Sequence, residues 1–317
     1  MVLLDACLAL RRDAVAAVAT FDHGTGPSAS AAVALVERTC LELGVPVVSG
    51  RMAAGGGRMA AGGGQVPVGG GQVAVGGGRT ADGVQRTAYS FPSPSIRPTE
   101  ASWRADRWRF LRAVAEEHHA TIVTAHTLDD QAETVAMRIL RGASARGLAA
   151  MAVRAKGIAR PLIGVPREVV AVYAAERHLR FLEDPSNTNR GHLRNRLRAD
   201  LMRAASVARP GFVAELCEIG DRAAAWRREL AEVVDALEVQ QVGQSLVVAA
   251  TAFEGIGAAG RAILWPELVG RLGLTMDRRG VARAAQWSLT ARAGQKIPLS
   301  GGASIERTAR TFVIRSR

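Results

Sequence analysis

Cysteine is scarce in this chain and spaced badly for structural use. Cys7, Cys40 and Cys217 are the only three in 317 residues, with no CxxC among them. That spacing argues against a disulfide framework, a structural zinc site and a cysteine-ligated cluster, and it fits a reducing cytoplasm. Lysine is almost missing too: all but Lys156 and Lys296 of the 41 basic residues are arginine. No apolar run approaches the ~18 residues that a membrane span needs. The opening MVLLDACLAL lacks a basic leader, carries Asp5 and runs into Arg11 and Arg12, so it reads poorly as a signal peptide.

What is abundant is positive charge, 41 basic against 29 acidic residues for a net +12. A polyanionic partner is the natural expectation where arginines cluster. Between Arg177 and Arg203 they do: Arg177, Arg180, Arg190, Arg194, Arg196, Arg198 and Arg203, with His178 and His192 among them, face only Glu183, Asp184 and Asp200.

Residues 51 to 78 form four tandem heptads, RMAAGGG twice, then QVPVGGG and QVAVGGG, with a decayed fifth in RTADGVQ. Triple glycines every seven residues hold neither a helix nor a packed strand cheaply, so residues 51–85 read as a flexible insertion. On either side, strand and helix patterns alternate. AVAAVATF (Ala14 to Phe21), VPVVSG and TIVTA read as strands. SASAAVALVERTCLELG reads as a helix, as does TEASWRADRWRFLRAVAEEHHA with Trp108, Leu111 and Ala115 on its apolar face. Repeated strand–helix units predict an α/β domain around a Rossmann-like parallel sheet, with ligands bound beyond the carboxyl ends of the strands. FDHG and TAHTLDD both fall at such ends. After about residue 208 the pattern changes to long helices, then SLVVAA, then a hairpin-like close, KIPLSGGASIERTARTFVIRS. This predicts a domain over 1–208 and a helical and mixed α/β region over 209–317.

The stretch TAHTLDDQAET places His126, Asp129, Asp130 and Glu133 at a helix start, with Leu128, Ala132, Val135, Ala136 and Ile139 as its apolar stripe. Acids there offset the helix dipole, and Thr127 with Asp130 three residues on resembles a capping box. A zinc site from His126, Asp129 and Glu133 lacks the spacing that brings two imidazoles together. Acids at a strand end also suit a magnesium ion or the ammonium of an amine. The local pattern leaves these readings open.

Longer strings carry more. TAHTLDDQAETVAMRILRGASARGLAAM, then RPLIGVPREVVAVYAAERHLRFLEDPSNTNRGHLRNRLRADLM, resemble the tRNA(Ile)-lysidine synthetases, a branch of the PP-loop ATP pyrophosphatases with the adenine nucleotide alpha hydrolase-like fold. The resemblance runs in order from VATFDHG through EASWRADRWRFL to the terminal LSGG. It implies a ligase that adenylates C2 of the wobble cytidine of a CAU-anticodon tRNA(Ile) with ATP and magnesium, then joins L-lysine to it. By motif, Asp130 with Glu133 would hold or activate lysine, and His126 would line the nucleotide pocket. Asp22 and His23 would lie next to adenosine, and Arg104 and Arg141 would face phosphate or the base. Arg194, Asn195 and Arg198 would support tRNA or the activated intermediate, and the C-terminal region would bind tRNA. Taken singly, Arg198 reads as well as a partner of Asp200 or Glu183, and DPSN (Asp184 to Asn187) as a turn.

Two departures stand out. The family's serine-glycine-glycine-x-aspartate-serine loop does not occur in this chain, and MVLLDACLAL looks like the helix that follows it. The expectation is that reading the gene upstream in frame restores a strand and that loop, whereas a stop codon just before Met1 would leave a decayed or RNA-binding paralogue. Thr25 and Gly26 stand where the family places an arginine. Among rivals, cluster-dependent tRNA thiolases need the paired cysteines this chain lacks.

Overall fold

A computed structural model describes residues 1–24, 26–52, 67–68, 72–79, 85–91, 100–183, 190–191, 193–299 and 302–316. They form two compact units, Met1–Gly142 with Ala150–Glu218 and Ala143–Ala149 with Ile219–Arg317.

The first unit opens with helix α1 (Val2–Arg11), strand β1 (Val18–Asp22), helix α2 (Pro27–Leu43) and strand β2 (Val47–Met52). Proline in the first turn of α2 and a left-handed Gly44 after its last turn bound that helix as their backbone preferences dictate. β1 begins later than its apolar run suggests, because Arg12–Ala14 is a 3-10 turn. β1 and β2 pair in parallel, and β2 pairs in parallel with β5 (Gln85–Phe91). β4 (Gln72–Arg79) then adds antiparallel to β5, and β3 (Pro67–Val68) antiparallel to β4.

The glycine repeat therefore departs from expectation wherever it is described. Its triple glycine at 76–78 lies inside β4, where the register slips between Ala74 and Gly77. Glycine suits such a bulge, and pairing there needs only backbone groups. Arg51 and Met52, the first two residues of the repeat, complete β2, and Met52 is buried. The rest of the repeat and DPSN lie outside the described residues.

Helix α3 (Glu100–Glu117) covers this sheet. Its fully buried residues are Phe110 and Val114; of the predicted Trp108, Leu111 and Ala115, Leu111 packs partly buried against the same core. Trp108 is half-buried, with the Arg112 guanidinium 5.9 Å from its ring centre, a stable place for an aromatic at a wet margin. Phe110 and Phe21 crowd Gly50 of β2, where an added Cβ would stand 2.6 Å from Phe21 and 3.0 Å from Phe110.

Strand β6 (Ile122–Val123) leads into helix α4 (Leu128–Leu140), short helix α5 (Ala145–Leu148) and the antiparallel pair β7 (Arg154–Ala155) and β8 (Ile158–Ala159). β8 runs parallel to β6. Then come helix α6 (Arg167–Glu176), helix α7 (Leu193–Arg196), a π-helical turn over Leu197–Met202 and helix α8 (Arg203–Ala208). Ala132, Val135 and Ala136 of α4 bury against Leu197, Met202, Leu216 and Cys217, whereas Ile139 of the predicted stripe is exposed.

The second unit takes in much of helix α9 (Phe212–Asp235), helices α10 (Ala258–Arg271) and α11 (Arg278–Thr290), and an antiparallel sheet. Its strands are β9 (Gln240–Val242), β10 (Ser245–Ala249), β11 (Lys296–Pro298), β12 (Ser304–Arg307) and β13 (Thr311–Arg315), in the order β11-β12-β13-β10-β9. Phe253 stacks on Trp265 at its centre, and Phe312 meets both edge-on. Buried Arg261 donates to the carbonyls of Phe253, Ile256 and Ser288, so its charge ends on backbone oxygens.

Among the described residues, no helix is long and apolar enough to cross a membrane.

Candidate active site

The site is organised by the first turns of α4. Thr127 and Asp130 make the capping box: the Thr127 backbone N–H donates to Asp130 Oδ2 at 2.9 Å, and the Thr127 hydroxyl receives the Asp130 N–H. The second oxygen, Oδ1, faces three arginines. Nη2 of Arg194, Arg167 and Arg198 lies 3.2, 3.5 and 3.9 Å away. Burial alone would raise the Asp130 pKa, but the Thr127 hydrogen bonds and the charges of Arg167 and Arg194 outweigh it and hold the carboxyl below its ordinary value.

One turn on, Glu133 is 2% exposed. Arg198 reaches it through Nε at 2.6 Å and Nη2 at 3.0 Å, and Arg194 Nε reaches it at 2.9 Å. Arg194 and Arg198 are four residues apart, so the helical path through α7 and the π turn puts both forks on one side. The bond to Glu133 raises the Arg198 pKa. The partner of Arg198 is thus neither Asp200 nor Glu183; Asp200 pairs with Arg190 at 3.0 Å. Three guanidiniums surround the carboxylates of Asp130 and Glu133, with Asp129 on the Arg167 backbone beside them.

His126 stands just before the cap, its Nδ1 2.8 Å from the Thr124 hydroxyl. Its pKa is lowered, first by burial and then by Arg160, Arg104 and Arg194, against the pull of Asp130. His23 follows β1 and meets Phe21 edge-on, with Trp103 6.3 Å off. Its pKa is lowered as well, by burial first and Arg107 second. Arg107 sits three residues after Arg104 on α3, and burial followed by repulsion from Arg104 and Arg194 lowers its pKa. These mutual influences put His23, His126, Arg104, Arg107, Arg160 and Arg194 in one electrostatic field.

Buried His23 Nδ1 and Arg160 Nε have no hydrogen-bond partner among the described residues. An orphaned ring nitrogen beside two aromatics, with crowded arginines nearby, fits a planar base carrying phosphates. A resident metal does not fit in the same way. Among the described residues, no three His, Cys, Asp or Glu side chains could hold one, and Asp130 and Glu133 already face arginines.

The structure therefore gathers His126, Asp130, Glu133, Arg194 and Arg198, with Arg104 and His23 in the same field. It does not bring in Arg141, which caps the far end of α4, roughly 16 Å along the helix axis from Asp130. Asn195 is half-buried, one residue and so a different face from Arg194. Asp22 is buried and committed: it accepts from the Gly24 N–H and the Ser30 hydroxyl, both at 2.8 Å, and from Arg51 Nε at 3.2 Å. That carboxylate shapes the turn holding His23. Thr25 lies outside the described residues. The sequence reading did not single out Arg107, Arg160 or Arg167. Only the three-residue spacing of Arg107 from Arg104 pointed to the first.

A PP-loop domain family matches residues 84–205. The chain is 36% identical to the tRNA(Ile)-lysidine synthase of Burkholderia mallei over 161 residues, 49% of this chain and 33% of that one. It is 36% identical to that of Thermobifida fusca over 163 residues, 51% of this chain and 49% of the other. With the Rhodopseudomonas palustris enzyme the identity is 33% over 215 residues, 66% and 49% of the two chains. The chain thus spans between a third and about half the length of these relatives. A solved U34-tRNA thiolase, NcsA from Methanococcus maripaludis with its [4Fe-4S] cluster, aligns with 71% of this chain and 78% of its own at a TM-score of 0.40 and 15% identity, a likeness too remote to bear on fold or activity. Residues 84 to 205 are thus similar to PP-loop domains, and over part of its length the chain is similar to the tRNA(Ile)-lysidine synthases.

Proposed function

We propose that the protein is a carbon–nitrogen ligase that makes lysidine at the wobble cytidine of a CAU-anticodon tRNA(Ile), acting in the cytoplasm. ATP adenylates the C2 carbonyl oxygen of the base and pyrophosphate leaves; the amine of free L-lysine then forms the C–N bond as AMP departs. The observation that carries this reading is the packing of Asp130 and Glu133 against Arg194 and Arg198, because all four lie in the strings that resemble the family.

His23 and His126 line the base, and Arg104, Arg107 and Arg160 meet phosphate oxygens with their planar forks. Developing negative charge then finds donors already in place. Magnesium would come with the nucleotide and would add positive charge at its phosphates, beside Arg104, Arg107 and Arg160. Asp130, held below its ordinary pKa, is a weak base and orients an ammonium. His126, neutral at pH 7, is the group with capacity for a proton.

The test is to incubate the protein with a CAU-anticodon tRNA(Ile) transcript, ATP and labelled L-lysine. Label is expected on the RNA, dependent on ATP. RNA that binds in a salt-sensitive way but never acquires label, with no ATP–pyrophosphate exchange, would instead mark an RNA-binding paralogue.

A further inference from the structure

The two oxygens of Asp130 are held very differently. Oδ2 is fixed at 2.9 and 3.0 Å by the backbone and hydroxyl of Thr127. Among the described residues Oδ1 meets arginines alone, accepting from Arg194 Nη2 at 3.2 Å and Arg167 Nη2 at 3.5 Å, with Arg198 Nη2 3.9 Å away. The three cations around it are unequal as well. Arg194 and Arg198 are anchored on Glu133 at 2.9 and 2.6 Å. Among the described residues Arg167 has no such anchor. Its backbone is fixed, because its N–H donates to Asp129 Oδ2 at 2.7 Å in the first turn of α6. Its side chain is 41% exposed, and its guanidinium reaches Asp130 at 3.5 Å and Glu133 at 3.7 Å.

A contact of that length from a partly exposed side chain contributes little. With three guanidiniums around two carboxylates, a further cation enters most cheaply by displacing the loosest. We infer that Arg167 is a stand-in for substrate: its guanidinium occupies the Asp130 Oδ1 position that the ammonium of the amino-acid substrate takes, and swings out when that ammonium binds. This rests on the proposed use of free lysine and adds a specificity device to it. An uncharged side chain of similar length cannot displace a guanidinium from a carboxylate, so the exchange favours lysine over its apolar analogue.

The experiment titrates L-lysine, and separately L-norleucine, into the full chain and its Arg167→Gln and Arg167→Lys variants by calorimetry. Removing the resident cation should tighten lysine binding in Arg167→Gln by about two- to fivefold, the equivalent of a weak ion pair. Norleucine affinity should not change, and Arg167→Lys should return lysine affinity to the wild-type value. A change shared by lysine and norleucine would mean a general effect on packing and overturn the inference. Unchanged or weaker lysine binding in Arg167→Gln would overturn it too, while leaving lysine as a substrate. No lysine binding by any of the three proteins would overturn both the inference and the use of lysine.

Discussion

Arg198 grips Glu133 with two nitrogens, Nε on Oε1 and Nη2 on Oε2, across 65 residues of sequence. A fork against a nearly inaccessible carboxylate fixes both partners in direction and distance. The pairing links the start of α4 to the π turn after α7, and with Arg194 it sets the floor of the site.

Glu133→Gln should therefore cost stability as well as activity. Two arginines would keep their charges beside a neutral amide. Breaking a buried pair costs about 3–5 kcal/mol, and with the arginines still a third exposed the expected loss is roughly 2 kcal/mol. Chemical denaturation of the two proteins measures it; a midpoint that does not move would show that the pair adds nothing to the fold.

His126 makes stability depend on pH. Its folded pKa lies below the ordinary 6.5, so the unfolded chain takes up the proton first as pH falls. The neutral ring's contribution is complete above pH 6.5 and is lost as pH drops through the lower folded value. His126→Gln should flatten the decline in unfolding free energy below pH 6.5, and His23→Gln should remove a further part of it. Identical slopes in all three proteins would contradict the burial of both rings.

Gly50→Ala places a methyl group 2.6 Å from Phe21 and 3.0 Å from Phe110. Phe110 is fully buried, so the rings have little room to yield. The overpacking should cost about 1–3 kcal/mol, read as a lower melting temperature. The same substitution at Gly164, where an added Cβ meets nothing within 4 Å, should leave melting nearly unchanged.

Much of the local structure was legible in the sequence because it rests on short-range chemistry. Gly44 and the Thr127–Asp130 spacing set helix ends that the structure reproduces, whereas the start of α2 at Pro27, after a Gly26 with no side-chain cap, was not read from the sequence. Capping and function appeared there as competing readings of Asp130, yet the residue divides its oxygens: Oδ2 serves the cap and Oδ1 faces the arginines. Charge partners were not legible, since sequence proximity proposes Asp200 for Arg198 whereas chain reversal delivers Glu133. The buried face of α3 was misread in part, because tryptophan counts as apolar by type, although a long aromatic with a cation over its ring also suits a half-wet face. The described part of the glycine repeat departs from expectation for a different reason. Its composition says what it cannot pack, but an antiparallel neighbour such as β5 supplies backbone partners that need no side chains.

The most direct test of the site is Asp130→Asn, assayed for transfer of labelled lysine to tRNA(Ile). An amide keeps the size and an acceptor for the cap but cannot balance an ammonium. Lysine transfer should fall by at least an order of magnitude while the protein stays folded; turnover equal to the wild type would contradict the assignment of that carboxylate, and with it the account of the site.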